Sequence, residues 1–150
     1  MKSRLIAAII LILLFSWPGT AAAQSDALTR ALQQYQALAK QGRYAEAERF
    51  ARKALELGEQ EFGPEHANTA AILNNLAVLY KAQGRYAGAE PLHKRALAIL
   101  EKAFGPEHPD VATSLENYAA LLRKTGRAAE AARMEARAKA IGAKRAKERR

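Results

Sequence analysis

The 150-residue sequence is basic, contains no cysteine and is poor in aromatic residues. It carries 24 Lys/Arg against 15 Asp/Glu, a formal net charge of +9, and aromatic residues make up 7% of the chain. Without cysteine, disulfides and thiolate chemistry are both excluded. The length suits one domain with a real core, and the scarcity of aromatic residues beside abundant alanine favours packed helices over strands.

The start of the chain has the layout of a secretory signal peptide, residues 1–23. Lys2 and Arg4 give a positive start, residues 5–15 are almost entirely aliphatic, and residues 21–23 are the small Ala-Ala-Ala that a signal peptidase reads. The alternative is a retained membrane anchor, but about eleven apolar residues fall short of the roughly 20 that span a bilayer. We therefore predict cleavage after Ala23 and a secreted or periplasmic product.

Charge is distributed unevenly along the rest of the chain. Residues 24–122 carry 11 Lys/Arg against 12 Asp/Glu, whereas residues 123–150 carry 11 Lys/Arg against three Glu. The basic character therefore belongs to the C-terminal end, and residues 142–150 are predicted to be a basic tail.

An internal repeat of 42 residues organises residues 24–141. Residues 41–66 return as residues 83–108 with 15 of 26 positions identical, and residues 125–128 are a third, diverged copy of the Gln-Gly-Arg-Tyr segment. A fixed period of this length is typical of stacked repeats. No alternating apolar run predicts a strand. The sequence thus predicts an all-α solenoid of about three right-handed helical hairpins, at about residues 26–61, 67–103 and 110–141.

Each repeat is predicted to contain two helices, A and B. In the second repeat, helix A spans about residues 67–82 and ends at Gly84, because glycine takes the left-handed conformation that closes a helix. Helix B spans about residues 86–103. Ala77 and Ala89 are predicted to meet where the two helices cross, and Asp110 is predicted to cap helix A of the third repeat.

The sequence offers no set of residues that predicts catalysis or metal binding. The two serines of the mature chain lie outside any glycine-rich elbow, and no glycine-rich phosphate loop occurs. His66 and His108 occupy equivalent links of neighbouring repeats, which predicts a role in the turn or at the start of the next helix, and His93 is predicted to be a packing residue. We therefore predict a protein that is not an enzyme and uses no metal or cofactor.

The residues of the second repeat resemble the tetratricopeptide repeat. The resemblance is carried by residues 73–80 (Leu-Asn-Asn-Leu-Ala-x-x-Tyr), 83–92 (Gln-Gly-Arg-Tyr-Ala-x-Ala-Glu-Pro-Leu) and 95–97 (Arg-Ala-Leu). The 42-residue period and the Phe-Gly-Pro-Glu-His link resemble the kinesin-light-chain variety of this repeat. The resemblance implies a scaffold that binds a partner protein or an extended peptide, rather than a reaction.

The resemblance also implies a binding site in the concave groove lined by helix A of each repeat. The side chains that it places there, off the core stripe, are Gln33, Gln36, Asn74, Asn75, Val78, Lys81, Glu116, Asn117 and Arg123, with Thr29, Ala71, Thr113 and Ala120 between them. Asparagine can donate to and accept from a peptide backbone, although these amides could instead bond neighbouring helices. The clamp for acidic C-termini found in some members is incomplete, since Leu32, Gln36 and Thr113 replace its polar residues.

The basic tail supports a second functional hypothesis. Lys144, Arg145, Lys147, Arg149 and Arg150 could attract an anionic membrane or cell-envelope polymer by charge. The last aromatic residue is Tyr118, so nothing in the tail could stack on bases, which argues against nucleic acid. The alternative to partner binding in the groove is therefore an accessory factor that docks through its tail.

Overall fold

A computed structural model describes residues 18–148 of the chain and the side chains of residues 25–148. Most of the predicted signal peptide, residues 1–17, and the last two arginines lie outside the described residues. The described chain is all-α and contains no strand, as predicted. Its helices are α1 (Pro18–Lys40), α2 (Tyr44–Phe62), α3 (Ala67–Ala82), α4 (Tyr86–Phe104), α5 (Pro109–Lys124) and α6 (Ala128–Glu148).

The helices form three hairpins stacked in a row. Helix α1 pairs with α2, α3 with α4, and α5 with α6, while α2 packs on α3 and α4 on α5 to join successive hairpins. Helix α3 also contacts α5 directly. Helices α1, α3 and α5 are the A helices of the three repeats, so they share one face of the stack. None of the helices within residues 18–148 combines the length and apolarity that a bilayer crossing requires.

The turns between helices explain where the helices begin and end. Gly84, with φ of +71°, closes the α3–α4 turn, and Gly105 at the end of α4 has φ of +86°. The predicted cap Asp110 is wrong: His108 is the cap of α5, because its Nδ1 accepts from the Asp110 amide at 3.2 Å. His66 caps α3 in the same way, with Nδ1 accepting from the Asn68 amide at 3.1 Å.

Two helices are longer than the sequence indicates. Helix α1 begins at Pro18 rather than near Asp26, so it crosses the predicted cleavage site. Helix α6 runs to Glu148 rather than ending near Ile141, so residues 142–148 of the predicted tail continue the last helix.

Small residues let the helices of each hairpin approach closely. Ala47, Ala77, Ala89, Ala119 and Ala131 are all completely buried in one cluster. Ala77 and Ala89, predicted to meet in the second hairpin, belong to this cluster. Larger apolar side chains fill the remaining space, including Leu73, Leu115, Leu121 and Leu122, each at most 1% exposed.

Ion pairs that recur with the repeat join each hairpin to the next. Arg85 binds Glu48 at 2.5 Å, and Arg127 binds Glu90 at 2.7 Å in the equivalent place one repeat later. Two further series connect the same neighbours in the same register: Arg95–Glu59 with Arg137–Glu101, and Lys102–Glu65 with Lys144–Glu107. The three series fix the stacking of the hairpins from outside the shared face of α1, α3 and α5.

Candidate functional site

The shared face of α1, α3 and α5 contains two neighbouring cavities, which together we call the groove. The first, of about 350 Å³, lies between α1 and α3, and the second, of about 280 Å³, lies between α3 and α5. Asn68, Ala71 and Asn75 of α3 line both cavities. The groove is therefore continuous across the central repeat, over a wall made of one short side chain and two amides.

The predicted groove residues divide between the cavities and the surface around them. Asn75 lines both cavities, Gln36 lines the first, and Asn117 lines the second. Thr29, Ala71 and Thr113 also line them. The remaining exposed or half-buried predicted positions lie on the same helices but outside both cavity linings: Gln33, Val78, Lys81, Glu116 and Ala120.

Asn74 differs from its expected role as a groove amide. It is only 9% exposed, its Nδ2 donates to Ser114 Oγ at 3.2 Å, and its Oδ1 lies 3.0 Å from His93 Nδ1. Its amide therefore links α3 to α5 and α4, and only the edge of the residue reaches the second cavity. Its helical position turns it further toward the core than Asn75.

Arg123 is also occupied within the protein. Its Nε and Nη2 atoms bind both carboxylate oxygens of Glu135 on α6, at 2.6 and 2.5 Å. The hydrogen bond from Arg123 is the largest cause that lowers the pKa of the Glu135 carboxyl. Arg123, predicted to line the groove, thus has its charge in an ion pair that joins α5 to α6.

His93 is the most deeply buried ionisable group described. Because the Asn74 Oδ1 can only accept, His93 Nδ1 donates to it, which leaves Nε2 buried without a partner among the described residues. The ring stacks on Tyr118 with centroids 5.9 Å apart. Burial, followed by the positive charge of Lys81, lowers the pKa of His93 to about 4, so the ring is neutral at pH 7.

Several groove residues were not predicted because they come from outside helix A. Phe62 and Glu61 at the end of α2 line the first cavity, and Phe104 at the end of α4 lines the second. Phe104 is 45% exposed, the largest exposed fraction among the large apolar side chains described. Phe62 and Phe104 occupy the same place in the repeated Phe-Gly-Pro-Glu-His link, so the repeat itself carried a signal for them. Glu61 had none.

The basic end of α6 lies at the last hairpin and borders the second groove cavity, because Phe104 lines both that cavity and the one beside α6. Lys144 is paired with Glu107 of the α4–α5 link, while Arg145 and Lys147 are exposed. A cavity of about 420 Å³ lies between this link and α6, with Lys144, Arg145, Glu107 and Glu148 among its lining residues. Over residues 18–148, no group of three or more His, Asp or Glu side chains is placed to hold a metal ion.

The comparison with protein families decides the identity of the fold. The tetratricopeptide repeat family model matches residues 36–102 and again residues 71–144. The chain belongs to the tetratricopeptide repeat family. The comparison with curated proteins finds no match.

Solved structures show which variety of the repeat this is. The protein is similar to BtubC (BKLC) from P. vanneervenii, with 29% identity over 77% of this chain and 46% of that chain, and a TM-score of 0.71. It shares its fold with a putative kinesin light chain of Podosopora anserina, at 24% identity over 83% of this chain and 57% of that one, TM-score 0.68. The chain spans about half the length of these two proteins. The repeats are of the kinesin-light-chain-like variety, as the sequence predicts.

A third similar structure is the tetratricopeptide domain of Arabidopsis FLU. It is 18% identical over 78% of this chain and 95% of that domain, with a TM-score of 0.68, and it supports the fold alone. Proteins of this family mediate protein–protein interaction, so the groove is the first candidate for a binding site.

Proposed function

We propose that the protein binds an extended segment of a partner protein in the groove and catalyses no reaction. The observation that carries this proposal is the pair of open cavities that share Asn68, Ala71 and Asn75. An extended chain crossing α3 would pass over the one small side chain, Ala71, with amides on either side. Each amide can donate to and accept from a peptide backbone, which gives affinity with little demand on sequence.

A tryptophan in the wall between the cavities would test this proposal. Ala71 is exposed on α3, so Ala71→Trp should fill the groove without disturbing the core. Ala140→Trp is the matched control, because Ala140 is also an exposed alanine within a helix, on α6, away from the groove. Proteins that the wild type captures from its native cells should be retained by Ala140→Trp and lost with Ala71→Trp. Titration of each purified partner should then show at least a tenfold difference in affinity between the two variants.

Equal capture by both tryptophan variants would show that the groove is not the binding site. In that event the basic end of α6 is the next candidate, because Arg145 and Lys147 are exposed there. Cosedimentation with vesicles containing anionic lipid would test it. Attraction by exposed charges is screened, so such binding should fall steeply with salt and be lost without residues 142–150.

We further propose that the protein is exported and that its mature form begins at Gln24. The support is the arrangement of residues 1–23: two positive residues, an aliphatic run and the Ala-Ala-Ala site. Mass spectrometry of the intact protein recovered from the producing cells checks this. A chain that starts at Met1 in the membrane fraction would instead indicate a retained anchor.

A further inference from the structure

We propose that the segment held in the groove is basic, with one lysine or arginine side chain placed against Glu61 and a second against Asp110. This inference rests on the proposed function and specifies the chemistry of the partner. It follows from the charges, the rings and the spacing of the two cavities.

The first observation is the charge of the groove lining. Glu61 lines the first cavity and Asp110 lines the second, and neither cavity lining includes a lysine or an arginine. The other lining residues are amides, hydroxyls and apolar side chains. The linings of the two cavities therefore carry two negative charges and no positive one.

The second observation is that these carboxylates lack an internal base, whereas those that join the hairpins have one. Glu48, Glu90 and the other carboxylates of the three recurring series are each bound to a lysine or arginine of the next hairpin. Among the described residues, Glu61 has no such partner, and its Oε2 is buried without a hydrogen bond. Asp110 approaches only His108 Nδ1, at 3.7 Å, and that nitrogen already accepts from a backbone amide.

Glu116 is a further carboxylate close to the groove, although it lies outside both cavity linings. It is exposed on α5, one residue before the groove residue Asn117, and it makes no ion pair among the described residues. A positively charged donor is the strongest hydrogen-bond partner for a carboxylate. Glu61 and Asp110 thus give the groove two negative charges that no lysine or arginine among the described residues pairs with.

The third observation is one phenylalanine ring in each cavity. Phe62 lies in the first and Phe104 in the second, 42 residues apart and therefore in equivalent places. One side of each ring is covered by the capping histidine, with ring centroids 5.3 Å apart for Phe62–His66 and 4.3 Å for Phe104–His108. Lysine and arginine combine a charge with an apolar stem, so a ring beside a carboxylate suits both parts of the side chain.

The spacing of the two cavities sets the spacing of the two basic residues. The cavities lie on either side of α3, and packed helices are about 8–10 Å apart. In the polyproline II form of an extended chain, side chains three residues apart point to the same side and lie about 9 Å apart, so the two basic residues should be about three residues apart. Asn75, which lines both cavities, lies where it can bond the backbone between them.

Peptide mixtures provide a test that does not require the partner to be identified first. The probes are fluorescein-labelled nonapeptide mixtures, randomised except at two positions three residues apart. Those positions hold lysine or arginine in one mixture, glutamine in the second and glutamate in the third. Binding is measured by fluorescence anisotropy with the whole mature chain. We expect the wild type to bind the basic mixture at least roughly tenfold more tightly than the neutral one, and the acidic mixture least.

The variants locate the binding. Glu61→Gln and Asp110→Asn should each reduce the preference for the basic mixture several-fold, and both substitutions keep the side-chain shape. Asn68 already stands at the position equivalent to Asp110 in the second repeat, so asparagine is tolerated there. Glu56→Gln is the matched control: it removes the same charge from the same helix as Glu61, at an exposed position whose carboxylate is paired with Lys53. It should leave the preference unchanged.

The possible failures are distinguishable. Tight binding of the neutral or acidic mixture that Ala71→Trp abolishes would keep the groove and overturn the basic segment. Binding of the basic mixture that persists in Ala71→Trp, or that Glu61→Gln and Asp110→Asn do not weaken, would place the basic ligand elsewhere and overturn this inference. If no mixture binds the wild type more tightly than it binds Ala71→Trp, both the inference and the proposed function are wrong.

Discussion

At the scale of single residues, three buried side chains tie three helices together. Neutral His93 on α4 donates to Asn74 on α3, and Asn74 donates to Ser114 on α5. The equivalent residues one repeat earlier, Ala51, Leu32 and Ile72, all have apolar side chains, so among the described residues this chain exists only between the second and third hairpins. A series of buried side chains joined by hydrogen bonds favours one arrangement of the helices that carry them, as long as none of these groups becomes charged.

The first prediction concerns the pH dependence of stability that His93 imposes. Its pKa is about 4 in the folded protein and about 6.5 unfolded. The unfolded state therefore takes up the proton first as pH falls, so the folded state should lose about 2–3 kcal/mol between pH 7 and pH 4.5. Above pH 6.5 the effect is absent. Urea denaturation at the two pH values would measure it.

A His93→Gln variant separates this effect from other acid-sensitive groups. Glutamine can still donate to Asn74 but does not titrate, so its stability should change much less between pH 7 and pH 4.5. Glu48 and Glu90, with pKa values lowered to about 2 in the folded protein, take up protons near pH 4.5 only when unfolded. Each therefore adds about 0.4 kcal/mol to the loss in both proteins, and this part cancels in the comparison. An equally steep loss of stability in the variant would assign the pH dependence to another group.

Residue-scale prediction from the sequence succeeded where the repeat determines the environment and failed where a distant partner does. His66 was predicted to act in the turn or at the start of the next helix, and in the structure it is the N-cap of α3. Asn74 and Asn75 are adjacent in sequence, and periodicity could not show which of them turns toward the core. Arg123 was predicted to line the groove. The sequence did not show its ion pair with Glu135 on α6, because the two residues become neighbours only when the last hairpin closes. Glu61 reaches the groove from a B helix, which the helix A pattern ignores.

At the scale of helices, the distance between neighbours is set by which residue stands at each contact. Gly58 on α2 faces Ile72 on α3 so closely that a Cβ atom at position 58 would lie 2.6 Å from Ile72 Cδ1. Gly142, at the equivalent position two repeats later, has nothing within 4 Å of such an atom. The same residue is therefore a packing requirement in the first repeat and a source of flexibility in the third.

The second prediction uses this equivalent pair of glycines. Gly58→Leu should destabilise the protein by about 1–3 kcal/mol, because the contact with Ile72 is already filled. Gly142→Ala should instead stabilise it by up to about 1 kcal/mol, since alanine is the better helix former and meets no neighbour. Thermal unfolding of both variants measures this. A Gly58→Leu variant that melts with the wild type would show that α2 and α3 can separate at no cost.

The third prediction concerns the crossing of α3 and α4. Ala77 and Ala89 are both completely buried in the same cluster. Ala77→Leu should overpack this crossing and lower stability by roughly 1–3 kcal/mol. Its control is Ala82→Leu, at an exposed position at the end of the same helix. If the two variants melt at the same temperature, then Ala77 does not lie at the crossing.

The helix ends show how far sequence prediction of elements could reach. The bounds of α3 were predicted at both ends, because a repeated link precedes it and Gly84 closes it. The outer helices α1 and α6 run seven or eight residues further than predicted. Repetition sets the boundaries only where another repeat adjoins, and alanine-rich sequence continues a helix without needing tertiary contacts.

At the scale of the whole molecule, the recurring ion pairs continue only while the repeat supplies their acidic partners. Glu48 and Glu90 hold Arg85 and Arg127, but the next equivalent position is Ala132. In the second series, the position one repeat after Glu101 is likewise an alanine, Ala143. The outer face of the third hairpin therefore has no carboxylates at the positions that would bind a further hairpin through these pairs.

The outer face carries a different pair instead. Arg123 and Glu135 stand where the first repeat has Ala39 and Ala51, and they form a two-bonded ion pair across α5 and α6. A crevice of about 230 Å³ lies further along the hairpin, at the start of α5 and the end of α6, and Pro109, Ala112, Ile141 and Arg145 are among its lining residues. The ion pair itself places two charges where the first repeat has small apolar side chains.

The fourth prediction follows from this polar outer face. Replacing Arg123 and Glu135 together by alanine restores the residues of the first repeat and removes both charges from this face of the third hairpin. The fold should lose little stability, on the order of 1 kcal/mol or less, because the pair is largely exposed. The double variant should instead self-associate as its concentration rises, while the wild type sediments as a monomer.

Arg43→Ala with Glu46→Ala, which removes an exposed pair from the other end of the stack, is the control and should stay monomeric. Sedimentation velocity at increasing concentrations measures all three proteins. A double variant that remains monomeric throughout would show that the Arg123–Glu135 pair does not protect this face.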